Sequence, residues 1–161
     1  MSGAPRPTVV LVNCDDLGYG DLGCYGSTRN STPAIDRLAA EGLRFDSFYM
    51  ASPVCSPSRG ALLTGCYPPR IGFGDFDGLP VLFPGQAVGL PPAEVTIARL
   101  LRDAGYRTQM VGKWHCGPFP KEHFDFGRSY QGTHWIKQPD GSRVHVTKKN
   151  ETDAQTRQQR L

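Results

Sequence analysis

Residues 92–115 read PAEVTIARLLRDAGYRTQMVGKWH, and this stretch decides the fold class. Its first part carries apolar residues at helical spacing, at positions 95, 97, 98, 100, 101 and 104. With Gly105 as a stop signal, this spacing predicts an amphipathic helix over residues 92–105. Residues 106–111 follow at once and predict a strand. A helix that leads directly into a strand is the repeating unit of α/β proteins.

The rest of the chain extends this alternation of strands and helices. The order strand, helix, strand, helix, long loop, helix, strand predicts an α/β fold with a mainly parallel sheet. The expected elements before residue 92 are a buried strand over 8–13, a helix over 33–41 capped by Thr32, a strand over 43–49, a helix from Ser56 as N-cap to Gly65, and a loop over 67–92. Further on, residues 134–147 predict a hairpin that turns at Asp140-Gly141.

Length, composition and charge exclude several classes of protein. The 161 residues fit one domain, and a net charge of +3 with scattered Lys and Arg argues against a nucleic-acid partner. No stretch approaches the roughly 18 apolar residues of a transmembrane helix, so we expect no membrane partner. The first residues, MSGAPRPTVV, lack the layout of a signal peptide. We therefore expect a cytoplasmic protein, or a periplasmic or secreted one if the true start lies upstream.

The cysteines do not form a disulfide or zinc pattern. There are five of them, an odd number, and their spacings fit no C-x-x-C arrangement. We expect most of them to be reduced and packed, with one in a special role.

The first polar cluster is Asp15-Asp16, directly after the expected strand over 8–13. Adjacent carboxylates repel each other unless a cation or protons intervene, and hard ions such as Ca²⁺ or Mg²⁺ prefer such oxygen ligands. A solvated turn is the alternative interpretation of the pair.

The second cluster is CSPSR, from Cys55 to Arg59. A thiol near a helix N-terminus gains from the positive end of the helix dipole, and Arg59 adds a fixed charge. The free backbone N–H groups of such a helix start also bind oxyanions. A small packed cysteine beside a capped helix is the alternative.

The third cluster is Lys113 with His115. In an extended segment these two alternate onto one face and offer a cation and a proton-transfer group. A surface lysine and a hydrogen-bonded histidine are the alternative. Taken together, a metal pair, a nucleophile at an anion-binding helix start and a Lys/His pair suit displacement at a phosphate or sulfate ester.

Three motifs in this order resemble the type I sulfatases of the alkaline-phosphatase-like superfamily. VCSPSRGALLTG, residues 54–65, matches the C-x-P-S-R signature of that family, and GYRTQMVGKWH, residues 105–115, matches its second signature. NCDDLGYGDLGCYG, residues 13–26, is similar to its metal-binding opening. The resemblance covers a motif-bearing core over residues 8–130. For residues 131–161 we expect a hairpin and a tail.

The resemblance implies a fold, a modification and a mechanism. The fold would be the three-layer alkaline-phosphatase-like architecture, of which residues 1–161 would form an incomplete, N-terminal part. A separate maturation enzyme would oxidise Cys55 to Cα-formylglycine, whose hydrated form attacks sulfur and later expels inorganic sulfate. Asp15, Asp16 and the modified Cys55 would hold Ca²⁺, with Mg²⁺ as the alternative ion.

The same resemblance implies roles for the remaining polar residues. Arg59 and Lys113 would steady the diol and the sulfate of an aryl or glycan sulfate ester, and His115 would assist proton transfer. The family also supplies an Asp-Asn metal pair from a later strand, which is absent from these 161 residues. We therefore expect a truncated chain with doubtful activity on its own. A phosphonate or phosphate monoester hydrolase of the same superfamily and an inactive fragment are the alternatives.

Overall fold

The computed structural model describes residues 6–76, 78–82, 88–129, 135–137 and 143–145. By their contacts the residues divide into two compact units, Met1–Tyr49 and Met50–Leu161. The helices and strands are α1 (Pro33–Glu41), α2 (Cys55–Thr64), α3 (Ile97–Asp103), β1 (Gln109–Gly112), β2 (Phe126–Ser129), β3 (Trp135–Lys137) and β4 (Arg143–His145). Short 3-10 turns lie at Tyr19–Asp21, Gly23–Tyr25, Pro68–Ile71 and Lys121–His123.

The first unit is built around α1 and the glycine-rich loop before it. Proline in its first turn and Thr32 before it start α1 as predicted. The Thr32 hydroxyl accepts a hydrogen bond from the backbone N–H of Gly23 at 2.8 Å, and the Asp36 carboxylate accepts one from Cys24 N–H at 2.7 Å. These bonds attach the loop to the start of the helix.

The two strands predicted in the first unit are wrong. Residues 8–13 and 43–49 adopt no regular secondary structure, and their apolar side chains are exposed, Val10 to 79% and Leu43 to 87%. A strand needs a hydrogen-bonded neighbour, and no strand lies beside either segment in the part of the first unit that the structure describes. Tyrosine hydroxyls bond instead to carbonyls of the second segment, Tyr25 to Phe45 O and Tyr19 to Phe48 O, both at 2.7 Å.

The second unit confirms the predicted passage from helix to strand. β1 follows α3 and pairs in parallel with β2, in the register Gln109↔Phe126 to Gly112↔Ser129. The sequence did not predict β2. The helix before β1 is shorter than expected, because the Thr96 hydroxyl caps it by accepting a bond from Arg99 N–H at 3.2 Å. β3 and β4 pair antiparallel in the register Trp135↔His145, as the predicted hairpin requires, while its turn at residues 140–141 lies outside the described residues.

The core of the second unit comes mainly from the loop over residues 67–92. Among the described residues, its buried members are Ile71, Phe73, Phe76, Leu82, Trp114 and Cys116. Gly60 of α2 packs so closely against this core that an added Cβ would lie 2.7 Å from the Phe73 ring. The core therefore joins α2, which carries the CSPSR motif, to the segment after β1, which carries the GKWH motif, through the loop over residues 67–92.

No helix in the described parts of the chain has both the length and the apolar character needed to cross a membrane.

Candidate active site

Cys55 is the first residue of α2 and is half-buried. Val54, not Ser56 as predicted, is the N-cap: it is extended, and its carbonyl accepts the Ser58 N–H at 3.1 Å. The helix therefore begins one residue before the predicted cap. This places Cys55 at the positive end of the α2 dipole, where an anionic group is favoured. Gly65 ends the helix in the left-handed region, as predicted.

Arg59 lies one helical turn after Cys55 and is buried, with 8% of its surface exposed. Residues four apart share one face of a helix, so the guanidinium and the thiol belong to the same side of α2. Its Nη1 donates a hydrogen bond of 2.6 Å to the backbone carbonyl of Lys113. The second sequence motif is thereby tied to the first by a charge-assisted bond.

Lys113 and His115 follow β1, but not in the extended conformation that the alternation argument assumed. His115 has a φ of +53°, a left-handed backbone that is uncommon for any residue other than glycine. Such strain persists only where the surroundings hold it, and it gathers at functional sites. Trp114 between them is buried, and its ring makes edge contacts with Phe119 and Phe124. The buried indole therefore anchors the segment that carries the two polar residues.

The ring of His115 is held by the loop over 67–92. Its Nε2 lies 2.7 Å from the carbonyl oxygen of Leu82. A carbonyl oxygen only accepts hydrogen bonds, so Nε2 carries a proton. In neutral His115 the other ring nitrogen, Nδ1, then holds the lone pair and is able to accept a proton.

Two residues that the sequence did not single out complete this cluster. Ser56 is fully buried, and its hydroxyl accepts a hydrogen bond from Leu82 N–H at 3.1 Å. The Cys116 thiol, also fully buried, lies 3.8 Å from the Ser56 carbonyl oxygen to which it donates. Burial raises the pKa of Cys116 to about 12, against an opposing effect of the Arg59 charge. A thiol with that pKa stays protonated at neutral pH, so Cys116 is not a nucleophile, whereas Cys55 lies at the start of α2.

Asp15 and Asp16 lie in a turn of the first unit, and both are exposed. Asp16 adopts a left-handed φ of +58°, so the pair is held in a defined turn and does not continue an extended segment. Across the residues that the structure describes, no three His, Cys, Asp or Glu side chains are grouped to share a metal ion. The carboxylates have the donor chemistry for Ca²⁺, but two residues do not supply its roughly six to eight oxygen ligands.

The second unit thus brings together the predicted residues Cys55, Arg59, Lys113 and His115. Ser56, Leu82 and Cys116 were missed. The sequence does contain a signal for Ser56, because its hydroxyl lies inside the CSPSR motif, but its position there predicts only a helix cap. Leu82 gave no signal, because it contributes through its backbone.

The buried guanidinium of Arg59, the thiol at the start of α2 and a histidine with left-handed backbone are the groups that displacement at an anionic ester would need. The sulfatase family model matches residues 7–158, and the chain belongs to the sulfatase family. It is 52% identical over 124 residues to human arylsulfatase A, covering 77% of this chain and 24% of that protein. Against mouse steryl-sulfatase it is 53% identical over 116 residues, covering 71% of this chain and 19% of that protein.

The fold comparison agrees with the sequence comparison. The structure of BT4656 in complex with its substrate D-glucosamine-2-N,6-O-disulfate superposes with a TM-score of 0.64 at 32% identity, covering 82% of this chain and 26% of that one. The predicted alkaline-phosphatase-like α/β class is confirmed, as a partial piece with a small parallel sheet. The chain spans about a fifth to a quarter of the length of the curated relatives it matches.

Proposed function

We propose that this protein hydrolyses sulfate monoesters of aryl or glycan alcohols and releases inorganic sulfate. The observation that carries the proposal is the joining of the two family motifs in one cluster, through the bond from Arg59 to the Lys113 carbonyl. Membership of the sulfatase family supports it, as do the names of relatives such as human N-acetylgalactosamine-6-sulfatase.

The proposed nucleophile is Cys55 after oxidation to Cα-formylglycine by a maturation enzyme. That group supplies a hydrated aldehyde whose hydroxyl attacks sulfur, so that the ester is cleaved by covalent catalysis. The position of Cys55 supports this role. It lies at the start of a ten-residue helix, half-buried, where the helix dipole favours a developing anion.

The neighbouring residues provide charge and proton transfer in the proposed site. Arg59 cannot lose its proton, so its buried guanidinium keeps a fixed positive charge on the Cys55 face of α2. Lys113 is proposed to contact the sulfate oxygens. His115 holds a proton at Nε2 against Leu82 O, and its Nδ1 is proposed to accept the proton of the attacking hydroxyl.

Asp15 and Asp16 are proposed to be ligands of a Ca²⁺ ion that needs further oxygen ligands; Mg²⁺ is the alternative ion. A bound divalent ion would neutralise charge on the sulfate oxygens. The two exposed carboxylates support this role, because carboxylate oxygens are the ligands that such ions prefer.

The test uses the full product of the reading frame that contains residues 1–161, made with and without a formylglycine-generating enzyme. Mass spectrometry reports the conversion of Cys55, and release of nitrocatechol from its sulfate reports activity. We expect turnover only of the converted protein, and loss of turnover in Cys55→Ala, in Asp16→Asn and after removal of calcium by a chelator.

Two results would contradict the proposal. More efficient cleavage of nitrophenyl phosphate than of the aryl sulfate would show a phosphate or phosphonate ester hydrolase. Normal folding and full conversion of Cys55 without turnover of any sulfate ester would show a non-catalytic protein. A glycan sulfate such as D-glucosamine-6-sulfate, assayed beside the aryl ester, separates the two substrate classes.

A further inference from the structure

Ser56 occupies a position that its place in the sequence does not explain. It is the second residue of α2, where a hydroxyl usually faces solvent or caps the helix, yet none of its surface is exposed. Its Oγ accepts no bond from the first turn of the helix and bonds instead to Leu82 N–H, 26 residues away, at 3.1 Å. A buried hydrogen bond between residues so far apart in sequence fixes one segment of the chain against another.

Leu82 makes hydrogen bonds to both Ser56 and His115. Leu82 is buried to 4% exposure; its N–H donates to Ser56 Oγ, and its carbonyl oxygen accepts from His115 Nε2 at 2.7 Å. If Leu82 shifts, the histidine loses the acceptor that keeps the proton on Nε2. Through Leu82, the tautomer of His115 therefore depends on the Ser56 hydroxyl.

A second hydrogen bond joins Ser56 to Cys116, the residue after His115. The Cys116 thiol, next in sequence to the histidine, donates to the Ser56 carbonyl oxygen at 3.8 Å. His115 itself keeps the strained φ of +53°. Ser56 therefore bonds both to Leu82, which accepts from the His115 ring, and to Cys116, which follows His115 in the chain.

We propose that Ser56 is a positioning residue that, through Leu82, holds His115 as the Nε2–H tautomer with Nδ1 as the base. This inference rests on the proposed function only for its catalytic consequence. The structural part, a fixed tautomer that depends on Ser56, stands whether or not the protein cleaves sulfate esters. Without the hydroxyl, Leu82 loses this anchor, and a shift of its carbonyl removes the acceptor that fixes the His115 proton on Nε2.

The first test reads the tautomer directly. The protein is labelled with ¹⁵N-histidine, and long-range ¹H–¹⁵N spectra at pH 8 distinguish the Nδ1 and Nε2 protonated forms. The chain has four histidines, so His115→Asn assigns the signal. We expect pure Nε2–H in the wild type, a mixture of tautomers in Ser56→Ala, and the wild-type pattern in Ser56→Thr, which keeps the oxygen.

Thr64→Val is the matched control. Thr64 lies in the same helix, and its hydroxyl also bonds to backbone, donating to Gly60 O at 2.8 Å, but it makes no bond to Leu82 or to the GKWH segment. We expect its His115 signal to equal that of the wild type. Spectra are compared below the thermal midpoint of each variant, and Ser56→Cys replaces Ser56→Ala if the alanine variant does not fold.

The second test measures catalysis by the full protein, corrected for the formylglycine content of each variant. We expect Ser56→Ala to lower kcat about ten-fold with KM within about two-fold, since a histidine in the wrong tautomer fails in proton transfer but does not weaken binding. An unchanged His115 tautomer in Ser56→Ala overturns the inference. A changed tautomer in a protein without sulfatase activity overturns the proposed function and leaves the tautomer assignment standing.

Discussion

Arg59 and Lys113, 54 residues apart, are joined by a bond of 2.6 Å from the guanidinium Nη1 to the lysine carbonyl oxygen. This bond makes one site out of two motifs that the sequence presents separately. It also means that Arg59 has a structural task apart from any contact with substrate, because its bond ties α2 to the segment after β1.

Arg59→Lys should therefore destabilise the protein even before maturation. Lysine lacks the planar fork of arginine and is shorter, so the bond to the Lys113 carbonyl is lost. The expected loss is about 1–3 kcal/mol in the free energy of unfolding, measured by urea denaturation of protein made without the maturation enzyme. Arg99→Lys, at an exposed position of α3, is the control and should change little. Equal urea midpoints for the two variants would show that the Arg59 bond is not formed in solution.

Cys116 should make stability fall at alkaline pH. Burial raises the pKa of its thiol from an ordinary 9.0 to about 12, so the unfolded chain releases this proton at lower pH than the folded protein does. The contribution is complete below pH 9 and is lost as pH rises toward 12. The slope in this window is at most about 1.4 kcal/mol per pH unit.

The measurement compares wild type with Cys116→Ala in urea at pH 8 and pH 10. We expect the wild type to lose more stability than the variant between the two values. In native protein at pH 8, iodoacetamide should modify the exposed Cys14 and spare Cys116. A parallel pH dependence in both proteins, or fast alkylation of Cys116, would show that the thiol is not buried.

Gly60→Ala should strain the contact between α2 and the core. An added Cβ would lie 2.7 Å from Phe73 and 2.9 Å from Ile71, both of them buried. Overpacking of this kind costs about 1–3 kcal/mol, against a gain of about 1 kcal/mol from replacing glycine within a helix. We expect a net loss in the urea midpoint that Phe73→Leu partly restores in the double variant. Gly20→Ala, where nothing lies within 4 Å, is the control. If the losses of stability from Gly60→Ala and Phe73→Leu simply add in the double variant, the contact between residues 60 and 73 is contradicted.

The sequence predicts local features of this protein better than partnerships between segments. The end of α2 at Gly65 and the strand near residues 109–111 follow from local signals that need no distant partner. Residues 8–13 show the opposite case. Their apolar run favours burial, but a strand also requires a hydrogen-bonded neighbouring strand. No local sequence pattern shows whether such a neighbour is present.

The candidate site shows the same division. Cys55, Arg59, Lys113 and His115 were found because reactive side chains stand in motifs. The position of Ser56 predicts only a cap, because its bond to Leu82 depends on a loop whose sequence shows no periodic pattern. That loop places Phe73 and Leu82 in the core, a result of tertiary packing that neither composition nor spacing predicts.

Asp125 should make the protein less stable in acid. The backbone N–H of Thr108 donates to its carboxylate at 2.8 Å, and this bond, with the charges of Arg102 and Arg107, lowers the pKa of Asp125 below its ordinary 3.8 despite some opposing desolvation. The folded protein therefore binds this proton less readily than the unfolded chain. The stabilisation is complete above pH 3.8 and is lost as pH falls through the folded pKa. NMR titration of the carboxyl carbon should give a midpoint below 3.8, and Thr108→Pro, which removes the N–H, should raise it where the variant remains folded. Thr108→Val keeps the N–H and loses only the hydroxyl, so it should leave most of the shift in place; a midpoint at or above 3.8 in the wild type would contradict the contact.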